Sequence, residues 1–497
     1  MDASGGANID LDAFGKVGAV GFGDIDIYND SLLNIVNLNS KSIITIDISN
    51  PTALPTDGSQ VAGALVSEYA LTFPDNCSSG EMRPFALKFH KGVGYLGVVC
   101  DASISKLTSD LKAYVYRFNP TNIANGLTKE LEFDLDYVRE DKGRYENNDF
   151  QDGEWQPWVS DWNDLVNAVR FGQWYSDHPS PALSDIEFTE DGSMILGIVD
   201  RTSHQIGTDE ILPLPSGHGV TPNSQSHWSG GDILKACLID GNFVMEGAGG
   251  CTTNDTQGPG TGNLYRLDDG PNGTGEFFYE DILLYNGVYG HGETAIGGLA
   301  IRKGSSEVIS NHYDVDGLNQ PGGLIKFNTN TGVRINSFLV TPSGATGLRK
   351  AAGLGDLELL CDPAPLEIGN YVWCDSLENG IQDACERGIS GINVSLYDRN
   401  GALVGLTETS ITGNYVFNQN NVDTTGVNPD GTAMTAFTGM SYSTQYFIVF
   451  GNSQFAANEF NNGSENFGIT SITNTGSNDN MDSDVDGNNL TSGSLGG

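Results

Sequence analysis

The chain has 497 residues, 65 of them glycine, and a net charge of −40 from 64 acidic residues against 24 Lys and Arg. That length points to two or more domains, and so acidic a surface excludes nucleic acid and anionic membranes as partners. No apolar stretch is long enough to span a bilayer, and the opening Met1-Asp2-Ala3-Ser4 lacks the basic and apolar pattern of a signal peptide.

Taken in chain order, the predicted elements are short strands separated by turn residues, which makes the chain all-β. Residues 31–49 read as two strands, Leu-Leu-Asn-Ile-Val-Asn-Leu-Asn and Ser-Ile-Ile-Thr-Ile-Asp-Ile-Ser, joined at Ser40-Lys41. Residues 85–100 form a hairpin turning at His90-Lys91-Gly92, residues 183–199 one turning at Glu190-Asp191-Gly192, and residues 296–310 one turning at Lys303-Gly304. Each is followed by a further strand, at 113–119, 231–239 and 322–332 respectively. That order is how β-propeller blades read, with roughly five to seven blades; a β-sandwich or an irregular multi-sheet domain is the competing architecture. Gly21-Phe-Gly-Asp24-Ile-Asp26-Ile27 resembles Gly353-Leu-Gly-Asp356-Leu-Glu358-Leu359, so the two ends of this region are expected to close against each other.

An insertion at 136–182 holds Trp155, Trp158, Trp162 and Trp174, four of the six tryptophans, and 158–169 has the spacing of a short amphipathic helix. Clustered aromatic rings stack on sugars in glycan-binding surfaces and also anchor loops in satellite cores. Asp185, Glu187, Asp200, Arg201 and His204 fall on one hairpin, and His291, Glu293, His312 and Asp314 on the next comparable one. Converging loops would place them at a central channel, as in a secreted hydrolase. No nucleophile elbow, His-Glu-x-x-His or phosphate-cradling loop accompanies them.

The seven cysteines include no Cys-x-x-Cys pair, which argues against a zinc site. Their spacing favours local bridges, Cys77 with Cys100, Cys237 with Cys251, and Cys374 with Cys385, in an oxidising compartment; connectivity is not fixed by sequence. A proline-bearing linker at 363–366 separates a first domain, 1–362, from a second, 367–497.

The second domain carries the most specific chemistry. Asp375 to Glu386 spans twelve residues with the layout of an EF-hand-type loop. Asp375 takes position 1, Asn379 position 5, Gly380 the turn, Ile381 the carbonyl position 7, Asp383 position 9 and Glu386 position 12. A hard cation needs six to eight oxygens, and this spacing wraps them around one point. Leu377 at position 3 cannot ligate. A second run, Asp482-Ser-Asp484-Val-Asp486-Gly487, sets alternating carboxylates before a glycine. It reads as half a Ca2+ site completed from elsewhere, or as an acidic tail.

These motifs, with Ile368-Gly-Asn-Tyr-Val-Trp373, Glu386-x-Gly388-Ile-x-Gly391-Ile-x-Val394-x-Leu396-Tyr-Asp398 and Gly413-Asn-Tyr-Val-Phe417, resemble the SdrD B-like repeat. The resemblance covers about 367–497. It implies an immunoglobulin-like β-sandwich related to CnaB repeats, with Ca2+ ligands at Asp375, Asn379, Asp383, Glu386, Asp482 and Asp484. The domain normally runs one strand further, so the chain is expected to be a piece of a longer protein with further repeats. From 367 onward there are 15 acidic residues, two arginines and no lysine. A Lys–Asn isopeptide cross-link is therefore impossible within the domain, and calcium with a disulfide would have to supply its rigidity. The first region, through Arg83–Lys88, Tyr95–Cys100, Asp185–Phe188, Asp200–His204 and Ala352–Leu359, is similar to regions found ahead of such repeats in large secreted bacterial proteins. The expected function is a cell-surface structural or adhesive protein whose propeller presents a face to a glycan or protein ligand, outside the cell or on a bacterial surface. The rival expectation is a calcium-dependent secreted hydrolase acting on the propeller axis.

Overall fold

The computed structural model describes residues 11–50, 66–137, 139, 154–165, 167–170, 173–176, 178–206, 225–227, 229–253, 270–273, 275–281, 283–285, 288–302, 305–315, 322–341, 355–359, 367–377, 381, 383, 386–398, 403–418, 422, 440, 445–450, 455–456, 459–461 and 466–468. They fall into two compact units, Met1–Leu360 and Cys361–Gly497.

The first unit is built from antiparallel meanders in which neighbours in sequence are neighbours in space. Strands β1 (Phe22–Tyr28), β2 (Leu32–Asn37), β3 (Ser42–Asp47) and β4 (Val66–Ala70) make the first four-stranded sheet. The second contains β5 (Met82–His90), β6 (Val93–Cys100), β7 (Lys112–Phe118) and β8 (Thr128–Asp134). A short hairpin of β9 (Asn167–Arg170) and β10 (Gln173–Ser176) follows. The third large sheet orders β11 (Pro181–Phe188), β12 (Met194–Asp200), β14 (Asp232–Ile239) and β15 (Asn242–Met245), while β13 (Gln225–Ser226) runs parallel to β10. After the pair β16 (Leu283–Tyr285) and β17 (Val288–His291), the fourth large sheet contains β18 (Ala295–Arg302), β19 (Glu307–His312), β20 (Gly323–Asn328) and β21 (Arg334–Leu339). Where a helix was expected over 158–169, the chain forms a 3-10 turn at Trp162–Asp164 and then enters β9. Asp161 caps that turn by accepting from Asn163 N, a local bond that competes with a longer helix.

Side-chain alternation explains how the sheets stack. In β6, Leu96, Val98 and Cys100 face a cluster shared with Val36 and Ile43 of the first sheet and with Leu38 just after β2. Val99, one residue on, faces Leu183, Ile186 and Leu196 of the third. In β12, Leu196 and Ile198 point back to that cluster, while Ile195 packs with Leu299, Ile301 and Phe327 of the fourth sheet. Strands buried on both faces read as continuous apolar runs, which is why Val98-Val99 and Met194-Ile-Leu196 lack polar alternation. The third and fourth sheets approach so closely that a Cβ on Gly197 would lie 2.2 Å from Gly297 O.

The first strands β1, β5, β11 and β18 lie side by side in that order, and each leaves one backbone edge without a ladder partner. Carboxylates of the neighbouring first strand fill that role. Leu87 N donates to Asp24 Oδ2 at 2.7 Å, Phe89 N to Asp26 Oδ2 at 2.6 Å, and Leu299 N to Asp185 Oδ2 at 2.6 Å. Residues 355–359 join the group: Asn311 Nδ2 donates to Gly355 O, and Asp356 lies beside both Asp24 and Asp185. Lys88 Nζ sits 2.6 Å from Glu187 and 3.9 Å from Glu358. Burial, and then the crowding of like charge, pushes Asp24 and Asp185 well above the usual carboxylate range. Burial also raises Glu187 to about 7 despite Lys88.

The second unit contains β22 (Ile368–Tyr371) paired with β25 (Asn414–Phe417), and a sheet in the order β24 (Leu403–Glu408), β23 (Asn393–Asp398), β26 (Tyr446–Phe450). Three further strands, β27 (Phe455–Ala456), β28 (Glu459–Asn461) and β29 (Asn466–Gly468), form a small antiparallel sheet. Ile392, Val394, Leu396, Val404, Tyr415 and Phe417 close a core between the first two sheets.

Two disulfides, Cys77–Cys100 and Cys237–Cys251, each join positions with Cα atoms 5.5 Å apart. Cys374 is a free thiol in this structure, and its expected partner Cys385 lies outside the described residues.

Two outcomes follow from this packing. Gly197→Ala forces two backbones apart and is expected to lower stability by about 1–3 kcal/mol in denaturant unfolding; an unchanged midpoint would contradict the close approach. The buried carboxyls concern pH. An aspartate in the unfolded chain ionises near about pH 4, whereas Asp185 holds its proton to higher pH when folded. The folded state therefore binds more protons, and this contribution to stability weakens as pH rises from about 4 towards neutrality. Asp185→Asn keeps an acceptor for Leu299 N and removes the charge. It should raise Tm more at about pH 8 than at about pH 5; an equal shift at both, or a loss at the higher pH, would count against the protonated core.

Candidate functional site

The loop that the sequence singles out leaves β22 and returns towards β23, and its base is pinned by backbone bonds. Cys374 N donates to Arg387 O, Ile389 N to Val372 O and Val372 N to Gly413 O. Trp373 and Gly388 form an isolated bridge. The glycines of the motif have a steric cause: a Cβ on Gly388 would lie 2.0 Å from Thr412 O, and Gly413, at φ +88°, packs against Gly388 Cα and Val372 O. Only a residue without a side chain lets the three segments meet.

Above this base, Glu386 organises the loop. Its Oε1 accepts from Ser376 N at 2.6 Å and Leu377 N at 3.2 Å, and its Oε2 accepts from Asp383 N at 3.1 Å. Glu386 N in turn donates to Asp383 O at 3.0 Å. The residue at the twelfth position thus draws the first turn of the loop and its ninth position towards one carboxylate. Asp375 and Asp383 are half-buried, as is Ile381, and Leu377 is 65% exposed, so the position that departs from a ligand points to solvent. Asn379, Asp482, Asp484 and Asp486 lie outside the described residues. Among the described residues no three His, Cys, Asp or Glu side chains are placed to hold a metal ion together. The donor chemistry, all oxygen, fits a hard cation; the Glu386 oxygens are at the same time bonded to backbone N–H groups.

The candidates of the first unit are tied into its interior. Asp200, wholly buried, accepts from Ser180 N, Thr202 N and Gly230 N and sits 2.6 Å from His227 Nε2. Arg201 donates to Val17 O and Val159 O and lies over Trp158, which Arg83 also approaches. Burial, with Arg83 nearby, lowers Arg201 to about 9. Glu293 pairs with buried Arg139 at 2.9 Å. The hydroxyl of Thr294 donates to Asp281 O, so His312 Nδ1 donates to Thr294, and its Nε2 accepts from Ser310 Oγ at 2.5 Å. Burial keeps that imidazole neutral. Asp314 is buried and His204 exposed, while the side chain of His291 lies outside the description. Trp155 and Trp158 are buried, Trp155 stacked on Arg139 at 3.7 Å from its ring centroid and Trp158 donating to Pro181 O. These two anchor loops and offer no ring to a sugar.

Sequence reasoning missed the knot in which Tyr137 donates to Asp232 and Arg139 donates to Gly230 O and Gly231 O. No local motif marks it, because its members come from distant segments. It also missed that Asp185-Ile-Glu187 is a third copy of Asp24-Ile-Asp26 and Asp356-Leu-Glu358, a signal that was there to find.

Comparison with known proteins agrees with the C-terminal reading. Residues 366–445 match the family model of the SdrD B-like domain. Over 431 residues the chain is 30% identical to Colossin-A of Dictyostelium discoideum, covering 83% of this chain and 3% of that protein. Over 199 residues it is 30% identical to the serine-aspartate repeat-containing protein D of Staphylococcus aureus strain MW2, covering 35% of this chain and 14% of that protein. The chain thus spans a small part of the length of these relatives. A solved structure of apo AztD from Citrobacter koseri aligns over 87% of this chain and 90% of its own at 9% identity, with a TM-score of 0.18, too low to bear on the fold. Residues 366–445 therefore carry an SdrD B-like domain, in a chain otherwise similar to colossins.

Proposed function

We propose that this chain is a secreted or cell-surface structural and adhesive segment, with a β-propeller-like unit that presents a binding face and an SdrD B-like domain stiffened by Ca2+. The observation that carries the reading is the SdrD B-like match at 366–445 together with a loop closed on Glu386. The propeller part is supported by four consecutive four-stranded meanders whose first strands adjoin. Two disulfides favour an oxidising compartment. Among the described residues no helix is long and apolar enough to cross a membrane. The similarity to serine-aspartate repeat proteins favours a surface location and a protein or glycan partner.

Within the loop, Asp375, Asp383 and Glu386 would hold the cation by carboxylates, Asn379 by its amide and Ile381 by its carbonyl, with Asp482, Asp484 and Asp486 for a second site. A bound Ca2+ supplies a positive centre that fixes these oxygens relative to one another. Glu386 already gathers the backbone of the loop without it, whereas Asp375 and Asp383 add repulsion to an acidic domain with no lysine to balance them.

The two kinds of carboxylate should therefore behave differently. In calorimetry and thermal melting, calcium is expected to bind with a Kd of about 0.1–1 mM or tighter and to raise the unfolding temperature of the second unit. Asp375→Asn should abolish that rise and leave the calcium-free melting temperature unchanged or slightly higher, since it removes one repelling charge. Glu386→Gln should lower the calcium-free value as well, because an amide is a weaker acceptor for three N–H groups. A folded chain that neither binds calcium nor melts higher in its presence would refute the proposal.

A further inference from the structure

Beside the Cys77–Cys100 disulfide lies a polar cleft of about 580 Å³, open to solvent, whose described lining includes none of the buried polar knots of the first unit. Its size falls within the usual range of small-ligand sites. The floor is rigid, being made by Lys112 and Tyr114 of β7 and Glu132 of β8, with the Tyr114 ring stacked on Tyr116 at a centroid distance of 5.7 Å. One wall is the loop from Asp75 to Ser79, held by the disulfide to the end of β6. The other runs from Ile104 to Asp110, bonded back to the first wall by Ile104 N and Ser105 N donating to Ser79 O, each at 2.9 Å.

Three charges of the cleft, Asp75, Lys112 and Glu132, are already fixed by partners. Lys129 Nζ bridges Asp75 Oδ1 at 2.7 Å and Glu132 Oε2 at 2.5 Å. Tyr116 Oη donates to Asp75 Oδ2 at 3.1 Å. Lys112, the one ammonium on the lining, is taken by Glu132 at 3.2 Å and Asp134 at 2.6 Å. An anionic ligand would meet Asp75, Asp110 and Glu132, with no uncommitted cation among the described lining residues. Asp75 and Glu132, held in place, keep lone pairs to accept from hydroxyls. Asn76, Ser78 and Ser105 add both donors and acceptors. Ile104, 69% exposed, supplies an apolar patch at the rim.

Fixed acceptors, small hydroxyl and amide groups and one apolar contact together match a compact molecule with hydroxyls on its edge and C–H groups on its face. We propose that this cleft is a binding site for a neutral sugar. The inference deepens the adhesive reading above by giving the first unit a ligand class, but it stands on the cleft's own geometry and needs no calcium.

The test is ligand-observed NMR and calorimetry on the full chain. The probes are methyl glycosides of glucose, galactose, mannose and N-acetylglucosamine, with sialyllactose as the anionic probe and cadaverine as the cationic one, each with calcium and with chelator. At least one neutral glycoside is expected to bind, equally in both conditions, and sialyllactose to gain nothing from its carboxylate. Ile104→Trp fills the cleft from an exposed position, and Asn76→Ala removes an exposed amide, so neither should disturb folding. Each is expected to weaken binding by about tenfold or more. Binding of cadaverine alone, no neutral sugar bound at millimolar concentration, or sugar binding unchanged in Ile104→Trp would each overturn the proposal. Loss of the sugar result with the calcium-induced rise in melting temperature intact would remove this site alone. Loss of the calcium result with sugar binding intact would remove the stiffened domain alone.

Discussion

A sheet whose first strand has no neighbour on one side leaves a row of backbone N–H groups that must be satisfied once buried. In the first unit, several such edges converge, and the chain satisfies them with carboxylates placed one strand away: Asp24 and Asp26 for β5, Asp185 for β18. The rest of the unit follows from this arrangement. First strands brought side by side stack their sheets face to face, so β6 and β12 are buried on both faces and are apolar over Leu96–Cys100 and Met194–Val199. The polar atoms that bind the edges are themselves crowded acids, which is why Lys88 stands among Glu187, Asp26 and Glu358 and why burial leaves Asp24 and Asp185 reluctant to ionise. Isolated buried charge would be costly; protonation and one shared lysine reduce it.

The second unit solves a smaller problem in a related way. In the described part of a loop of twelve residues, Glu386 collects three backbone N–H groups. The same side chain is the one that a cation would need in bidentate form. On the calcium proposal, loop closure and metal affinity would be coupled through a single residue, in a domain that has no lysine to offset its acidic loops.

Much of this was legible in the residues. The hairpins at 85–100, 183–199 and 296–310 announce themselves by apolar runs interrupted at Lys91-Gly92, Asp191-Gly192 and Lys303-Gly304. The glycine-spaced motifs of the second unit carried the family resemblance, and Gly388 and Gly413 now have a steric reason. The chain also hid several features. An amphipathic spacing at 158–169 suggested a helix, but Asp161 offers its backbone a tighter local bond and the strand that follows takes over. The tryptophans left two readings, loop anchors and a glycan-binding face; Trp155 and Trp158 follow the first, held inward beside Arg139, Arg83 and Arg201, whose positions depend on segments far away in sequence. Likewise a linear reading leaves Asp200, Glu293 and His312 open to a catalytic role, although structural hydrogen bonds are the commoner use of such residues. Their partners, His227, Arg139, Thr294 and Ser310, appear only when the sheets are assembled.

Hydrogen exchange of the whole chain, followed by peptide mass spectrometry with calcium and after chelation, tests the account most directly. Peptides covering 85–89 and 297–301 should exchange slowly in both conditions, because carboxylates close their free edges, while protection gained with calcium should centre on 374–387. Rapid exchange at the first strands, or calcium-induced protection that bypasses the loop around Glu386, would contradict it.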